Sequence, residues 1–287
     1  MIRSMTGFAR TEATGDWGEL SWELRAVNHR YLDVHLRLPD ELRSLEPSLR
    51  QRLSRRLGRG KVECTLRLRA AESDKALAID EERLAAVVAA SRRVAEAAPE
   101  AAAPDPLRLL QWPGVLQENV PDLEAGAGAA LDAFDRALAE LAAMREAEGD
   151  RIETFLRERS ALVADLAETV RERLPAVREA WREKLMARLA EIDAPAEGGR
   201  LEQEAVIVAQ RLDVDEELSR LDSHVQALEK ALAMDEPVGR RLDFLMQEFN
   251  REANTLTSKS QDAEVTRCGV EMKVLIEQMR EQVQNVE

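Results

Sequence analysis

In the segment SWELRAVNHRYLDVHLRL, apolar side chains fall at Trp22 and Leu24 and again at Leu32, Val34, Leu36 and Leu38. A period of two marks a strand with one buried face. The break at Asn28-His29-Arg30 predicts a turn between paired antiparallel strands, and Gly15-Asp16-Trp17-Gly18 predicts an earlier turn. Pro39 closes this stretch, and the spacing then becomes helical: Leu42, Leu45, Leu49, Leu53 and Leu57. Pro47 suits a first turn better than an interior, so the regular helix is expected from about residue 45. Gly58 and Gly60 stop it, and Val62, Cys64, Leu66 and Leu68 return to strand alternation.

Residues 80–98 read as an amphipathic helix whose acidic start, Asp80-Glu81-Glu82, suits a helix N-terminus. Residues 99–128 carry five prolines and several glycines and read as a structured connector, with Trp112-Pro113-Gly114-Val115 docked on the body. From about residue 129 helix takes over. Ile152, Phe155, Leu162, Leu166, Val170, Leu174, Val177, Trp181, Leu185 and Ile192 sit mostly three, four or seven apart, the pattern of a long stalk, with Pro175 a candidate kink. DAPAEGG at 193–199 breaks it, and further helices are expected at about 200–233, 239–254 and 261–285. The expected fold class is α+β. A small N-terminal α+β domain (1–155) with antiparallel strands precedes a helical stalk (156–200) and a helical C-terminal domain (201–287).

Composition sharpens this picture in two places. The two cysteines, Cys64 and Cys268, are too few and too far apart for a disulfide framework or a zinc site, which points to a reducing compartment. With no apolar signal core and no membrane-length apolar run, a cytoplasmic protein is expected. The net charge of −14 hides a segregation. Residues 1–70 hold fourteen Lys/Arg against nine Asp/Glu, and residues 50–69 alone hold eight basic residues against Glu63. A basic patch on an acidic body is compatible with a phosphate backbone, and equally with a solvated helix face.

Signatures of nucleotide loops, zinc proteases and serine hydrolases are absent. On the helix DVDEELSRLDSHVQALEKAL, Asp213, Glu217, Arg220 and His224 are spaced four, three and four beside the apolar stripe. They form either a ladder of surface ion pairs or a site for Mg²⁺ or Mn²⁺, which such oxygen and imidazole ligands suit. In GRRLDFLMQEFNREANTLTSKS, Asp243, Gln247, Asn250 and Asn254 repeat in the same rhythm, and Glu248 and Glu252 pair at i, i+4. Asn and Thr are poor helix formers, so Asn250, Asn254 and Thr255 need a ligand-facing site, or else a buried interface network or helix end, to account for them. Arg240, Arg241, Arg251 and Lys259 are placed to neutralise phosphates.

SMTGFAR, ELRAVNHRYLDV, RGKVE, RLDVDEELSRLDSH, GRRLDFLMQEFNREANTLTSKS and LIEQMREQVQNVE together resemble the YicC/YloC family of bacterial endoribonucleases. The resemblance runs from end to end and is weakest between residues 70 and 200. It implies an RNA endonuclease that needs a divalent metal, typically Mn²⁺, assembles as a homohexameric ring around RNA, and acts in RNA turnover, with an exoribonuclease as a possible partner. It also singles out Glu204, Asp213, Glu216, Glu217, Arg220, His224, Asp243, Gln247, Glu248, Glu252, Asn254 and Lys259. In the head it singles out Arg3, Arg25, Asn28, His29, Arg30, Arg59 and Lys61.

The mechanism expected is metal-assisted RNA hydrolysis or transesterification. Asp213, Glu217, Glu248 and Glu252 are the candidate metal ligands, and His224, Glu217, Glu248 and Arg220 the candidate catalytic residues. His224 either joins the ligands or acts as general acid or base. Arg3, Arg25, His29, Arg30, Arg59 and Lys61 of the head, with Arg240, Arg241, Arg251 and Lys259, are the candidate RNA contacts. Aromatics are only 3 % of the chain, which argues against base stacking as the main grip. The rivals are a non-catalytic RNA-binding adaptor, with the carboxylate helices as an oligomer interface, and a helical scaffold with no RNA role.

Overall fold

The computed structural model describes residues 2–70, 79–98, 105–116, 123–191 and 214–287. Its elements run β1 (Gly7–Gly15), β2 (Gly18–Val27), β3 (Leu32–Arg37), a 3₁₀ turn (Asp40–Leu45), α1 (Glu46–Arg56), β4 (Gly60–Ala70), α2 (Glu81–Ala97), α3 (Pro106–Leu110), α4 (Leu123–Glu191), α5 (Asp215–Leu232), α6 (Gly239–Lys259) and α7 (Ala263–Val283). The fold is α+β: a four-stranded mixed sheet with helices, then a long helical region. None of the described helices is long and apolar enough to cross a membrane.

The sheet order is β1-β2-β4-β3. β1 and β4 lie antiparallel to β2, as alternation and the Gly15–Gly18 turn predict. The expected pairing across Asn28-His29-Arg30 does not occur. β3 lies parallel to β4, with Val34 opposite Val62. The physical reason is the intervening helix: α1 supplies the crossover that a parallel pair requires, so β3 reaches β4 through it and never meets β2. Pro47 sits in the first turn of α1, with the 3₁₀ turn ahead of it. Gly60 begins β4 with a φ of +115°, backbone open to glycine at little cost.

The alternating residues meet the N-terminal third of α4. Leu20, Trp22, Leu24, Val62, Cys64 and Leu66 are buried with Ala130, Ala133, Phe134, Ala137, Leu138 and Leu141. Trp22 packs edge-on to Phe134 with ring centroids 4.9 Å apart, and its indole N–H donates to the Ala130 carbonyl at 2.8 Å. Burial also pushes the Cys64 thiol up to about 12, so it behaves as a small apolar core residue.

A second core lies further along the same helix. Ile152, Leu156, Val163, Ala167, Val170 and Leu174 pack against the stripes of α5, α6 and α7. The 69-residue α4 runs unbroken past residue 155 and through Pro175, roughly 100 Å by its rise per residue. The expected boundary at 155 therefore falls inside one helix, and residues beyond it belong to the core. The expected docking of Trp112 is not found: its side chain is 55 % exposed, and Val115 is buried instead, its carbonyl accepting from the Asp80 N–H at 2.9 Å. Val115 can be buried without leaving a polar atom unpaired, whereas Trp112 sits on the open side of the small α2–α3 lobe.

The chain ends are stitched together over α4. Ser4 bridges to Val286, the Met5 N–H donates to Asn285 (2.7 Å), and the Glu287 N–H donates to Arg3 (2.9 Å). Beneath them lies Gly149, where a Cβ would stand 2.1 Å from the Ile2 carbonyl oxygen. Gly149→Ala must push the N-terminal segment off α4. It is expected to destabilise the protein by about 1–3 kcal/mol despite the better helix propensity of alanine. A urea unfolding midpoint equal to or above wild type would refute this contact.

Candidate metal centre

α5 begins with Asp215, Glu216 and Glu217, acids favoured at a helix N-terminus, and buries Leu218, Leu221, Leu228 and Leu232. α6 buries Leu242, Leu245, Met246, Phe249, Ala253 and Leu256. When these two stripes pack, the polar residues beside them are drawn into the seam. His224 from α5 and the i, i+4 pair Glu248 and Glu252 from α6 converge, each offering a ligand atom within 4.8 Å of the others. Phe249 sets the imidazole, its ring edge-on at 5.6 Å between centroids. The His224 Nε2 is buried with no hydrogen-bond partner among the described residues, and the Glu252 side chain is only 3 % exposed.

This donor set fits a divalent metal. An imidazole nitrogen and two carboxylates suit Mn²⁺ or Mg²⁺, and a buried nitrogen without a partner is costly unless something fills the place. Burial is the largest influence on His224 and holds its imidazole below the ordinary histidine range. Glu252 and Glu248 pull the other way, and Arg220 reinforces the shift. The neutral ring, which is the ligating form, is therefore favoured near neutrality.

The remaining expected residues have other places. Arg220 donates to Glu216 at 2.5 Å and to Glu252 at 3.3 Å, so it sits at the rim of the cluster. Glu217 is buried one turn away from Arg220, and the Lys259 ammonium donates to it at 2.8 Å. Glu217 thus stands outside the three-residue cluster, with Lys259 as its cation. Asp213 and Glu204 lie outside the described residues. Gln247 donates to Asp243 and Asn254 to Asn250, so these amides and acids bond along α6 itself.

Among the basic candidates, Arg240, Arg241 and Arg251 are exposed on α6, Arg251 at 3.8 Å from Glu248. Arg25 is exposed on β2. Arg3 pairs with Glu146 (2.9 Å) and Lys61 with Glu63 (3.2 Å). The Arg30 guanidinium lies over the Tyr31 ring, and the His29 Nδ1 bonds the Tyr31 carbonyl. Arg59 donates to the Val286 carbonyl, and Asn28 to the Gln284 carbonyl at 2.6 Å. Arg59 and Asn28 thus tie head to C-terminal helices, a role that periodicity does not reveal. Sequence reasoning missed Arg145 altogether. On an Ala-rich helix it reads as a solvated arginine, yet its side chain is 3 % exposed and donates to Ser4 (2.6 Å) and Glu287 (2.5 Å).

Comparison with known proteins gives the lineage. Residues 2–154 match the family described as endoribonuclease YicC-like, N-terminal region, and residues 170–287 match endoribonuclease YicC-like, C-terminal. The chain belongs to the YicC-like family. A protein of Haemophilus influenzae named probable endoribonuclease YicC is 43 % identical over 287 residues, all of both chains. One of the same name from Clostridioides difficile is 31 % identical over 293 aligned residues, again covering both chains in full.

The depressed imidazole gives a signed pH dependence. The unfolded chain binds this proton more readily than the folded one, so stability is lost as pH falls from about 6.5 toward the lower folded value. In EDTA, His224→Gln is expected to remove that component. Its urea midpoint should fall less than that of wild type between about pH 7.5 and 5.5. Identical slopes for the two proteins would show that His224 is not the buried neutral group described.

Proposed function

We propose that this protein is an endoribonuclease that cuts RNA, single-stranded or structured, with the help of Mn²⁺ or Mg²⁺ held by His224, Glu248 and Glu252. Family membership and the names of the two relatives support the reaction class. The observation that carries the metal is the convergence of the His224 imidazole, whose Nε2 is buried without a partner among the described residues, with two carboxylates from the neighbouring helix.

A cation bound there supplies Lewis-acid stabilisation of charge on the phosphodiester. The chain's own residues do the rest. Phe249 fixes the imidazole plane, so His224 presents one nitrogen to the cluster without reorganisation. Glu248 is half-buried and gives the site its opening to solvent, while Glu252 closes the inner side. Arg220, anchored on one side by Glu216, can turn the edge it gives to Glu252 toward a phosphate oxygen once a cation takes over Glu252, the recognition a planar guanidinium suits. Arg240, Arg241 and Arg251 extend positive charge along α6 for the flanking backbone.

Labelled RNA incubated with Mn²⁺, with EDTA as control, tests the activity. His224→Ala and Glu248→Gln should each lower the cleavage rate by about 10²-fold or more. Wild-type rates in both variants would remove these residues from the site even if the activity is real. Because Arg220 holds Glu252 in the absence of a cation, it competes with the metal. Arg220→Ala is expected to bind Mn²⁺ more tightly by calorimetry while cutting RNA more slowly. Looser binding would make Arg220 a support of the site rather than a competitor. Glu217→Gln should act on stability instead, costing about 1–3 kcal/mol with Mn²⁺ affinity unchanged.

One observation favours the adaptor reading: Glu252 and Glu217 already have cationic partners. RNA binding that weakens steeply with salt, without any Mn²⁺-dependent cutting, would decide for it. We also infer a homohexameric ring, which would gather the basic heads of an acidic protein into one lumen. A stable monomer in sedimentation velocity contradicts the ring.

A further inference from the structure

We propose that the arginine-lined cavity between the end of α1 and the middle of α4 is a receptor for a phosphate monoester. The cavity has a volume of about 360 Å³, and its charged lining is Arg3, Arg55, Arg56, Arg145, Glu146 and Glu287. It is separate from the cluster of His224, Glu248 and Glu252 and does not depend on it.

Four arginines converge here, three from the basic first seventy residues and Arg145 from the middle of the chain. Like charges brought together cost free energy, and for Arg145 that cost adds to the larger one of burial. Burial is the first influence drawing its guanidinium below the ordinary arginine range. Glu287 opposes that shift, while Arg3 and Arg59 add to it. Arg55 and Arg56 are exposed in the last turn of α1 and make no ion pair among the described residues. Next along the chain, a Cβ on Gly58 would meet the Glu287 Oε1 at 2.8 Å, so glycine keeps this wall open. The Arg59 Nε beside it is buried without an acceptor.

The charge balance selects the ligand. Four arginines against two glutamates leave a surplus of two positive charges. A phosphate monoester carries about −1.5 to −2 near neutrality, whereas an internal phosphodiester carries one negative charge. Its oxygens suit the planar guanidinium fork. The Glu287 carboxylate now occupies Arg145, so the phosphate would take over that contact. The same charge and oxygens are offered by the 5′-monophosphate end of a processed RNA, a monoester, and by free inorganic phosphate, which is not esterified.

The test uses the full-length protein in EDTA, so that no cutting intervenes. Fluorescence anisotropy compares one short RNA bearing a 5′-monophosphate with the same RNA bearing a 5′-hydroxyl. Thermal unfolding is followed with and without inorganic phosphate at fixed ionic strength. An RNA end as the source predicts about tenfold tighter binding of the phosphorylated RNA. The Arg55→Ala/Arg56→Ala double variant, altered only at exposed positions, should abolish that preference. Glu287→Gln should enlarge it, and Arg43→Ala, an exposed arginine elsewhere, should leave it unchanged. Free phosphate as the source predicts no RNA preference, with phosphate raising the Tm of wild type but not of the double variant. If neither effect appears, or if either survives in the double variant, the cavity is not a phosphate receptor.

Discussion

One continuous helix serves both hydrophobic cores, and the rest of the molecule is arranged around that fact. α4 gives Phe134, Leu138 and Leu141 to the sheet and Leu156, Val163 and Val170 to the helical region. A helix is stiff between its packed ends, so the head and the helices carrying His224 and Glu248 share one register. The chain termini lock that register from outside. Residues 3–5 and 285–287 bond to each other, and Arg145 reaches up from α4 to hold both. Arg59 and Asn28 add two bonds from the head to Val286 and Gln284, just past the end of α7. The candidate centre is thus placed by the ends of the chain as much as by its own helices.

Local patterns in the sequence revealed local structure. Alternation located all the described strands except β1, and the leucine spacing located α1, including the late start forced by Pro47. Pairing was not legible in the same way. Whether β3 meets β2 or β4 depends on which edge α1 crosses, and no residue in the Asn28-His29-Arg30 break encodes that choice. Periodicity reads one long helix from about residue 129, and α4 follows it. The expected domain boundary at 155 lies within that helix, whose stripe buries both Ile152 and Leu156.

The candidate site was half legible for a related reason. Spacing alone placed Glu217 and His224 on one stripe of α5, and Glu248 with Glu252 on one stripe of α6. It could not say which members of one stripe face which members of the other. The packing of Phe249 against His224 decides it: this contact brings His224 to Glu248 and Glu252 and puts Glu217 opposite Lys259. The polar density of α6 was the useful signal, since Gln247, Asn250 and Asn254 bond along their own helix and leave Glu252 buried and Glu248 half-buried at the seam.

Buried carboxylates must be neutralised in every state the protein visits. Removing charge from water costs several kcal/mol per ion unless an opposite charge replaces the lost hydration. The seam between α5 and α6 meets that demand in two different ways. Lys259 is itself partly enclosed with Glu217, so that pair is screened less by solvent than a surface pair. Arg220 is different: nearly half of its side chain is exposed, and it divides its donors between a solvated Glu216 and an enclosed Glu252. A long, exposed arginine loses little by shifting wholly to Glu216, because surface pairs contribute little in any one geometry. Under the proposed metal binding, Arg220 would stabilise Glu252 before the cation arrives and release it afterwards. The asymmetry between two neighbouring ion pairs is what that proposed exchange of countercharge requires.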